Sequence, residues 1–164
     1  MKKKSNGVYR ARINARGYEQ IDGEHYKEDK KAVPVVNDTT FHVLLMLMLM
    51  AGWCAEVLDV KGAFPHGLFE DGEEICMKVP EGFERHCKNG CVLLPLQTLH
   101  GLKQSACAFW KQLLKAFKSM GCKRSKADPC LHYAWTDTGL VMWMSWVDDC
   151  LVVGRREAAM KAKQ

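Results

Sequence analysis

Two adjacent acidic residues between apolar segments are the first feature of this sequence that could do chemistry. Asp148 and Asp149 lie within residues 146–153, and apolar side chains flank them on both sides. Asp is unfavourable inside strands, so the pair predicts a tight turn between two strands. An ordinary turn would explain the pair alone, but a hairpin tip can also direct two carboxylates towards one point.

A third carboxylate strengthens the chemical interpretation. Asp59 falls near the end of an apolar segment, residues 56–60, that reads as a strand. If the two strand ends are neighbours in a sheet, three carboxylates converge, and such a cluster stays ionised at neutral pH only with cations present. Oxygen ligands of this kind suit Mg²⁺ or Mn²⁺, and two such ions can stabilise both the attacking and the leaving oxygens of phosphoryl transfer.

Helices and turns around these acids define the elements that must position them. Asp38 or Thr39 can cap a helix that runs to about Ala51, and Gly52 is suited to end it. Residues 43–51 are entirely apolar, fall well short of the ~20 residues that span a bilayer, and predict a buried helix. A second helix is expected over residues 105–120, with Ser105 as its N-cap.

Strands account for most of the remaining apolar segments. Residues 2–20 predict a basic β-ribbon about the turn Ser5-Asn6-Gly7, and residues 22–31 predict a polar loop. Further strands are expected at residues 75–79, 92–96, 131–135, 140–147 and 151–153, with a helix starting near residue 155. The order strand, helix, strand pair and helix predicts an α+β fold with a split βαβ, ferredoxin-like arrangement.

Charge and cysteine content narrow the class of protein. The chain has 164 residues, is 48% hydrophobic and carries a net charge of +5, as expected for a globular domain. Its basic residues form an N-terminal cluster and a second cluster over residues 111–126, which suits a phosphate-rich partner, although an ordinary solvated surface is the alternative. No apolar segment follows the basic start as in a secretory signal, so the eight cysteines are expected to be reduced thiols in the cytoplasm or nucleus.

A zinc site is an alternative use of three residues. Cys87, Cys91 and the adjacent His86 are possible ligands, but their spacing matches no strong zinc-finger pattern. A small zinc-binding regulatory protein is therefore kept as a separate hypothesis.

Seven motifs in order resemble those of reverse transcriptases from copia-type long-terminal-repeat retrotransposons. Val147-Asp148-Asp149 is similar to the Tyr-Val-Asp-Asp box, and residues 58–64 (LDVKGAF) look like the motif that holds the first catalytic aspartate. The other motifs are residues 15–20 (ARGYEQ), 33–36 (VPVV), 79–83 (VPEGF), 101–104 (GLKQ) and 126–131 (KADPCL).

The resemblance implies a polymerase fingers and palm, truncated before the thumb. Residues 1–36 would be partial fingers, and residues 37–164 would be a palm of antiparallel sheet and packed helices with an inserted fingers segment at about 65–104. The implied activity is RNA-directed DNA polymerisation onto a primer 3′-hydroxyl. The implied partners are an RNA or DNA template-primer, deoxynucleoside triphosphates and the rest of a Pol polyprotein, including integrase and ribonuclease H, in a virus-like particle or the nucleus and without a membrane.

The same resemblance assigns roles to individual residues. Asp59, Asp148, Asp149 and the Val60 carbonyl would hold two Mg²⁺ or Mn²⁺ ions. Phe64 would exclude the 2′-hydroxyl of ribonucleotides. The other nucleotide-binding residues would be Lys3, Arg10, Arg12, Gly101 and Gln104, and the template-primer contacts would be Trp146, Val147 and Lys103.

Some positions depart from the family pattern. Trp146 replaces the usual tyrosine of the box, His100 replaces a tyrosine before Gly101, and Pro65 stands where leucine is common. The alternative hypothesis is therefore a truncated, catalytically inactive relic that only binds nucleic acid.

Overall fold

The computed structural model describes residues 2–3, 7, 9–10, 13–70 and 72–162. The helices of this part of the chain are α1 (Asp38–Ala51), α2 (Ser105–Ser119) and α3 (Arg156–Lys161). Its strands are β1 (Lys2–Lys3), β2 (Tyr9–Arg10), β3 (Cys54–Asp59), β4 (Met77–Lys78), β5 (Val92–Leu93), β6 (Lys123–Arg124), β7 (Leu131–Thr136), β8 (Gly139–Trp146) and β9 (Asp149–Gly154). The α+β class predicted from the sequence is confirmed.

The chain divides into two compact units. The first unit comprises Met1–Ala32 and Phe64–Phe109, and the second comprises Val33–Ala63 and Trp110–Gln164. The assignment of residues 1–36 and 37–164 to fingers and palm stays a prediction.

A five-stranded antiparallel sheet forms the centre of the second unit. Its strand order is β3-β9-β8-β7-β6, so the consecutive strands β6 to β9 form a meander and β3 is added beside β9. The register of β3 against β9 runs from Cys54 opposite Gly154 to Asp59 opposite Asp149. The predicted strands at residues 56–60, 131–135, 140–147 and 151–153 are thus present with small shifts of their ends.

One face of this sheet packs against α2 and α3. Phe117 of α2 and Ala158 and Ala159 of α3 are buried in one cluster with the sheet residues Val141, Trp143, Cys150 and Val152. Because side chains alternate between the faces of a strand, Cys150 and Val152 lie on the same side of β9.

The other face packs against α1. Leu44 is buried with Met142, Met144 and Val153, and Phe41 and Met48 pack against the same cluster. The helix begins after Asn37, whose side chain accepts a hydrogen bond of 2.8 Å from the Thr39 amide. The cap is therefore Asn37, and the prediction of Asp38 or Thr39 was wrong by one or two positions.

The prediction that α1 is a buried helix is wrong for most of its surface. Among residues 43–51 only Leu44 is buried, and Val43, Met46, Leu47 and Met50 are exposed. These four residues recur at helical spacing and so form one stripe away from the sheet. An all-apolar segment predicts burial on every side, whereas the sheet covers only the side that carries Phe41, Leu44 and Met48.

The first unit contains short strand pairs and loops. The ribbon β1–β2 pairs Lys2 with Arg10 and Lys3 with Tyr9, as the sequence predicted, and Ser5 and Asn6 of its predicted turn lie outside the described residues. Strands β4 and β5 pair with each other within the two predicted segments.

Close backbone packing also organises this unit. A Cβ on Gly101 would lie 2.1 Å from the Ala15 carbonyl oxygen, and one on Gly17 would lie 1.9 Å from the Gly101 carbonyl oxygen. Gly101 also has a φ of +92°, which favours glycine. Both positions therefore require glycine for the fold.

Two further local predictions are corrected. Ser105 is the first residue of α2, and its hydroxyl donates to the Leu99 carbonyl oxygen at 2.6 Å instead of capping the helix. Strand β6 was not predicted, because its two basic residues carry no apolar pattern. In the part of the chain that is described, no helix is long and apolar enough to cross a membrane.

Candidate carboxylate site

The candidate site lies at the tip of the β8–β9 hairpin in the second unit. Trp146 pairs with Asp149, so Val147 and Asp148 form a two-residue loop. Val147 has a φ of 54°, a left-handed conformation that is unusual for a β-branched residue. The apolar strands on either side, buried in the two clusters described above, hold this strained tip in place.

The neighbouring strand brings the third carboxylate to the same tip. Asp59, the last residue of β3, is directly opposite Asp149 in the antiparallel register. The next amide, that of Val60, donates to the Asp148 carbonyl oxygen at 3.0 Å. Directly opposite residues project to the same face, with Cβ atoms roughly 4.5–5.5 Å apart. The register therefore brings Asp59 and Asp149 opposite each other at the tip, and convergence of all three carboxylates on one site stays a prediction.

The chemistry of this site follows from exposed like charges. Asp59, Asp148 and Asp149 are all exposed to solvent. Like charges directly opposite each other destabilise a strand pair, and a bound cation removes that repulsion. Carboxylate oxygens are hard ligands that suit Mg²⁺ or Mn²⁺. The donor types and their register thus fit a divalent metal.

The side chains do not form a closed ligand cage. Among the described residues, no three His, Cys, Asp or Glu side chains are grouped closely enough to hold a metal ion. The register places Asp59 opposite Asp149, and Asp148 precedes Asp149 in the hairpin loop. The metal role of Asp59, Asp148, Asp149 and the Val60 carbonyl stays a prediction.

The predicted template-primer residues of the second unit lie at the same tip. Trp146 and Val147 are large apolar residues, and both are exposed, at 56% and 39% of their surface. Exposed apolar side chains beside the carboxylates are available to contact a ligand, whereas the rest of β8 is mostly buried.

Phe64, the predicted sugar-selecting residue, belongs to the first unit. It begins the short helix Phe64–His66, and its carbonyl oxygen accepts a hydrogen bond of 2.6 Å from the Thr98 hydroxyl. Its ring meets that of His100 edge to face, with centroids 5.0 Å apart. The position of Phe64 is therefore fixed both by the hydrogen bond to its backbone and by the contact of its ring with His100.

Gln104 and Lys103 take part in a polar network of the first unit. Gln104 is 4% exposed, donates from Nε2 to Glu73 Oε1 at 2.9 Å and accepts at Oε1 from Gln20 Nε2 at 3.1 Å. The Lys103 ammonium donates to the Gln20 carbonyl oxygen at 3.1 Å and lies 4.5 Å from the centre of the Tyr26 ring. These contacts join the 20–26 loop to the start of α2, a structural role that the sequence did not reveal.

The remaining nucleotide-binding predictions fall on the first unit as well. Lys3 and Arg10 lie on the paired strands of the ribbon, and Arg12 lies outside the described residues. Gly101 does allow a close backbone approach, as predicted, but the approach in the structure is to Ala15 of the same chain.

The zinc hypothesis gains no support from the cysteine pair. Desolvation and a hydrogen bond with Cys91 raise the pKa of the Cys87 thiol above its ordinary value. Among the described residues, no group of three His, Cys, Asp or Glu side chains includes this pair, and the zinc site stays an untested hypothesis.

Asp128 is a buried residue whose importance sequence reasoning missed. It is 1% exposed and accepts hydrogen bonds from the amides of Asn37 at 2.9 Å and Cys130 at 2.8 Å. Burial raises the pKa of Asp128, but these bonds and one from the Thr40 side chain outweigh it and hold the pKa below its ordinary value. The carboxylate thus fastens the start of α1 to the loop before β7.

Comparison with known proteins identifies the family to which the chain belongs. The family model described as "Reverse transcriptase (RNA-dependent DNA polymerase)" matches residues 1–163. The chain therefore belongs to the reverse transcriptase family, which confirms the resemblance predicted from its motifs.

Individual relatives are retrotransposon polyproteins of plants. The chain is 34% identical over 148 residues to "Retrovirus-related Pol polyprotein from transposon TNT 1-94" of Nicotiana tabacum, covering 90% of the chain and 11% of that protein. It is 29% identical over 153 residues to the transposon RE2 polyprotein of Arabidopsis thaliana, covering 93% of the chain and 10% of that protein. It is 30% identical over 146 residues to the transposon RE1 polyprotein of the same plant, covering 89% of the chain and 10% of that protein. The chain thus spans about a tenth of the length of these relatives, and no solved structure matches it significantly.

Proposed function

We propose that this chain supplies the catalytic carboxylates of an RNA-directed DNA polymerase within a retrotransposon Pol polyprotein. The observation that carries the proposal is the register of Asp59 against Asp149 beside the Asp148 loop. We take the reaction class from family membership. We take the candidate catalytic residues from the strand register.

The sheet topology supports a palm-like role for the second unit. Strands β3 and β8 are both antiparallel to β9, which lies between them, so they run parallel to each other. Helix α2 lies between β3 and β8 in the chain, and this order supports the split βαβ, ferredoxin-like arrangement that we propose for the palm. The first unit would then supply part of the fingers.

The proposed chemistry is attack of a primer 3′-hydroxyl on the α-phosphate of a deoxynucleoside triphosphate, with release of pyrophosphate. Two bound Mg²⁺ or Mn²⁺ ions would lower the pKa of the hydroxyl and neutralise the triphosphate. Asp59, Asp148 and Asp149 would provide the ligands, together with the Val60 carbonyl. The protein's contribution is to hold these groups at one place on a packed sheet and so to orient the reactants.

Contacts at the hairpin tip and in the first unit would select the substrates. Trp146 and Val147 are exposed beside the carboxylates and would contact the primer end. Phe64 would exclude a 2′-hydroxyl by its bulk, so Phe64→Ala should admit ribonucleotides more readily in primer extension while deoxynucleotide use continues. If Phe64→Ala discriminates between ribonucleotides and deoxynucleotides as the wild type does, Phe64 is not the sugar-selecting residue.

Partners and location follow from the same proposal. The chain would act on an RNA or DNA template-primer beside the integrase and ribonuclease H parts of a Pol polyprotein. A cytoplasmic virus-like particle or the nucleus would be its site of action.

Metal binding and nucleotide incorporation together test the carboxylates. Mn²⁺ titration followed by electron paramagnetic resonance should show binding to the chain, with loss of affinity in Asp59→Asn and Asp148→Asn. Asp137→Asn is the matched control, because Asp137 is an exposed turn acid at the other end of β8. The same variants should lose primer extension with magnesium and deoxynucleotides.

Two results would separate the competing hypotheses. Unchanged Mn²⁺ affinity in both site variants would refute the metal role of the hairpin. Metal and nucleic-acid binding without any incorporation would instead support the catalytically inactive relic.

A further inference from the structure

Helix α2 and strand β6 carry a run of basic residues that the carboxylate chemistry does not use. Residues 110–127 include Lys111, Lys115, Lys118, Lys123, Arg124 and Lys126 and contain no Asp or Glu. Over the whole chain, 24 Lys and Arg residues are mixed with 19 acids, so this stretch is distinctly unbalanced.

The α2 lysines form one stripe on the outside of the helix. Lys111, Lys115 and Lys118 recur at the spacing i, i+4 and i+7, which places them on one side over roughly 10 Å of helix. Leu113 and Phe117 pack into the core from the opposite side. Lys115 and Lys118 are exposed.

Strand β6 adds further basic residues at the edge of the sheet. It follows α2 directly and is the outermost strand, with Lys123 and Arg124 both exposed. Arg124 pairs with His132, whose ring stacks on Phe117 of α2 with centroids 4.3 Å apart. Arg124 therefore projects on the α2 side of the sheet. Lys123 alternates with Arg124 along the strand and so projects on the other side. We call the exposed residues Lys115, Lys118 and Arg124 the basic face.

The basic face lacks the acidic neighbours found at other cations. Arg16 pairs with Glu19 at 3.2 Å, and Lys31 is paired with Glu28. No residue of the basic face has an ion-pair partner among the described residues. Exposed cations that lack acidic partners attract polyanions.

The basic face is separate from the carboxylate tip. β6 is three strands away from β9, which is roughly 14 Å. Asp149 alternates with Cys150 along β9, so its side chain is on the α1 side of the sheet, whereas Arg124 is on the α2 side. A nucleic acid held at the basic face is therefore not held by the carboxylates.

We propose that the basic face is a second nucleic-acid-binding surface, which contacts the phosphate backbone independently of the carboxylate site. Lysine ammonium groups contact phosphates without reading bases, so binding is independent of sequence. This surface would keep RNA or DNA attached to the protein while the carboxylate site is empty. The inference does not require polymerase activity.

Fluorescence anisotropy with labelled single-stranded RNA and DNA oligonucleotides tests the proposal. The 164-residue chain is titrated without divalent ions over a range of potassium chloride concentrations. The test variant K115Q/K118Q/R124Q is compared with K27Q/K78Q/K88Q, which removes the same charge from exposed residues of the first unit. Urea unfolding midpoints confirm that both variants are folded.

The test variant should bind at least about tenfold more weakly at low salt, and its plot of log K against log salt should be shallower by about 2. The control variant should lose clearly less affinity. D59N/D148N removes two negative charges and so should bind no more weakly than the wild type. Equal losses of affinity in the test and control variants would overturn the proposal. The basic residues would then serve to keep the exposed edge strand from pairing with another chain. Loss of binding in D59N/D148N would overturn its independence from the carboxylates.

Discussion

The imidazole of His132 stacks on the ring of Phe117, with centroids 4.3 Å apart and planes at 18°. The imidazole is 2% exposed, and neither ring nitrogen has a well-placed hydrogen-bond partner among the described residues. Burial lowers the pKa of His132 below 6.5. A backbone interaction with Cys130 raises this pKa less strongly than burial lowers it, and the charge of Arg124 lowers it a little further. His132 is therefore a neutral core aromatic that resists protonation.

Acid should destabilise the fold through this histidine. Above pH 6.5 the ring is neutral in both the folded and unfolded chains and adds no pH dependence. Below pH 6.5 the unfolded chain binds a proton that the folded chain resists, so the free energy of unfolding falls, by up to about 1.4 kcal/mol per pH unit, until the folded pKa is reached. Urea unfolding between pH 5 and 7 should show this loss in the wild type and a smaller one in His132→Phe. Parallel pH profiles for the two proteins would contradict the assignment.

Asp128 should stabilise the second unit by satisfying two buried amides. In Asp128→Ala the amides of Asn37 and Cys130 lose their acceptor, and we expect the free energy of unfolding to fall by about 2–4 kcal/mol. Because the folded pKa is below the ordinary 3.8, this carboxylate's charge-dependent contribution is present above pH 3.8 and is lost as the pH falls through the folded pKa. Urea unfolding at pH 7 measures the loss, with Asp137→Ala as an exposed control. A change as small as that of the control would show that the hydrogen bonds do not stabilise the fold.

Val147 should make the hairpin tip less stable than glycine would. Its φ of 54° is costly for any residue with a Cβ, by roughly 1–2 kcal/mol, and glycine avoids that cost at some loss of chain entropy. Val147→Gly should therefore raise the free energy of unfolding by about 1 kcal/mol, whereas Val147→Ala, which keeps a Cβ, should change it less. Chemical unfolding of the three proteins decides the matter, and a lower midpoint for the glycine variant would disprove strain at this residue.

The carboxylate hairpin was predictable because its signals are local. Apolar segments that end at acids predicted both strands, and Gly52 predicted the end of α1, where its φ is 63°. The exposed stripe of α1 was not predictable, since composition does not tell how many sides of a helix a sheet covers. The contact of Gly17 with Gly101 joins residues that are far apart in the chain. The strand register between Asp59 and Asp149 was the critical long-range feature, and the family motifs indicated it before the structure did.

The pair of Asp59 and Asp149 should couple metal binding to stability. Without a cation, two like charges stand directly opposite each other and destabilise the strand pair by a few tenths of a kcal/mol up to about 1 kcal/mol. Asp149→Asn removes one charge, so the metal-free variant should be slightly more stable than the wild type. A ligand that binds only the folded state stabilises it in proportion to the logarithm of its concentration over Kd. Manganese should therefore raise the thermal midpoint of the wild type but not that of Asp149→Asn.

Thermal unfolding with and without Mn²⁺ gives both results in one experiment, with Asp137→Asn as the control for loss of an exposed acid. The control should behave as the wild type does in both conditions. Without metal, the difference in thermal midpoint between wild type and Asp149→Asn measures the charge repulsion alone. With Mn²⁺, the rise in the midpoint of each protein measures stabilisation by the bound ion. Equal manganese stabilisation of wild type and Asp149→Asn would place any metal elsewhere, and a less stable metal-free variant would mean that Asp149 is held by contacts other than repulsion from Asp59.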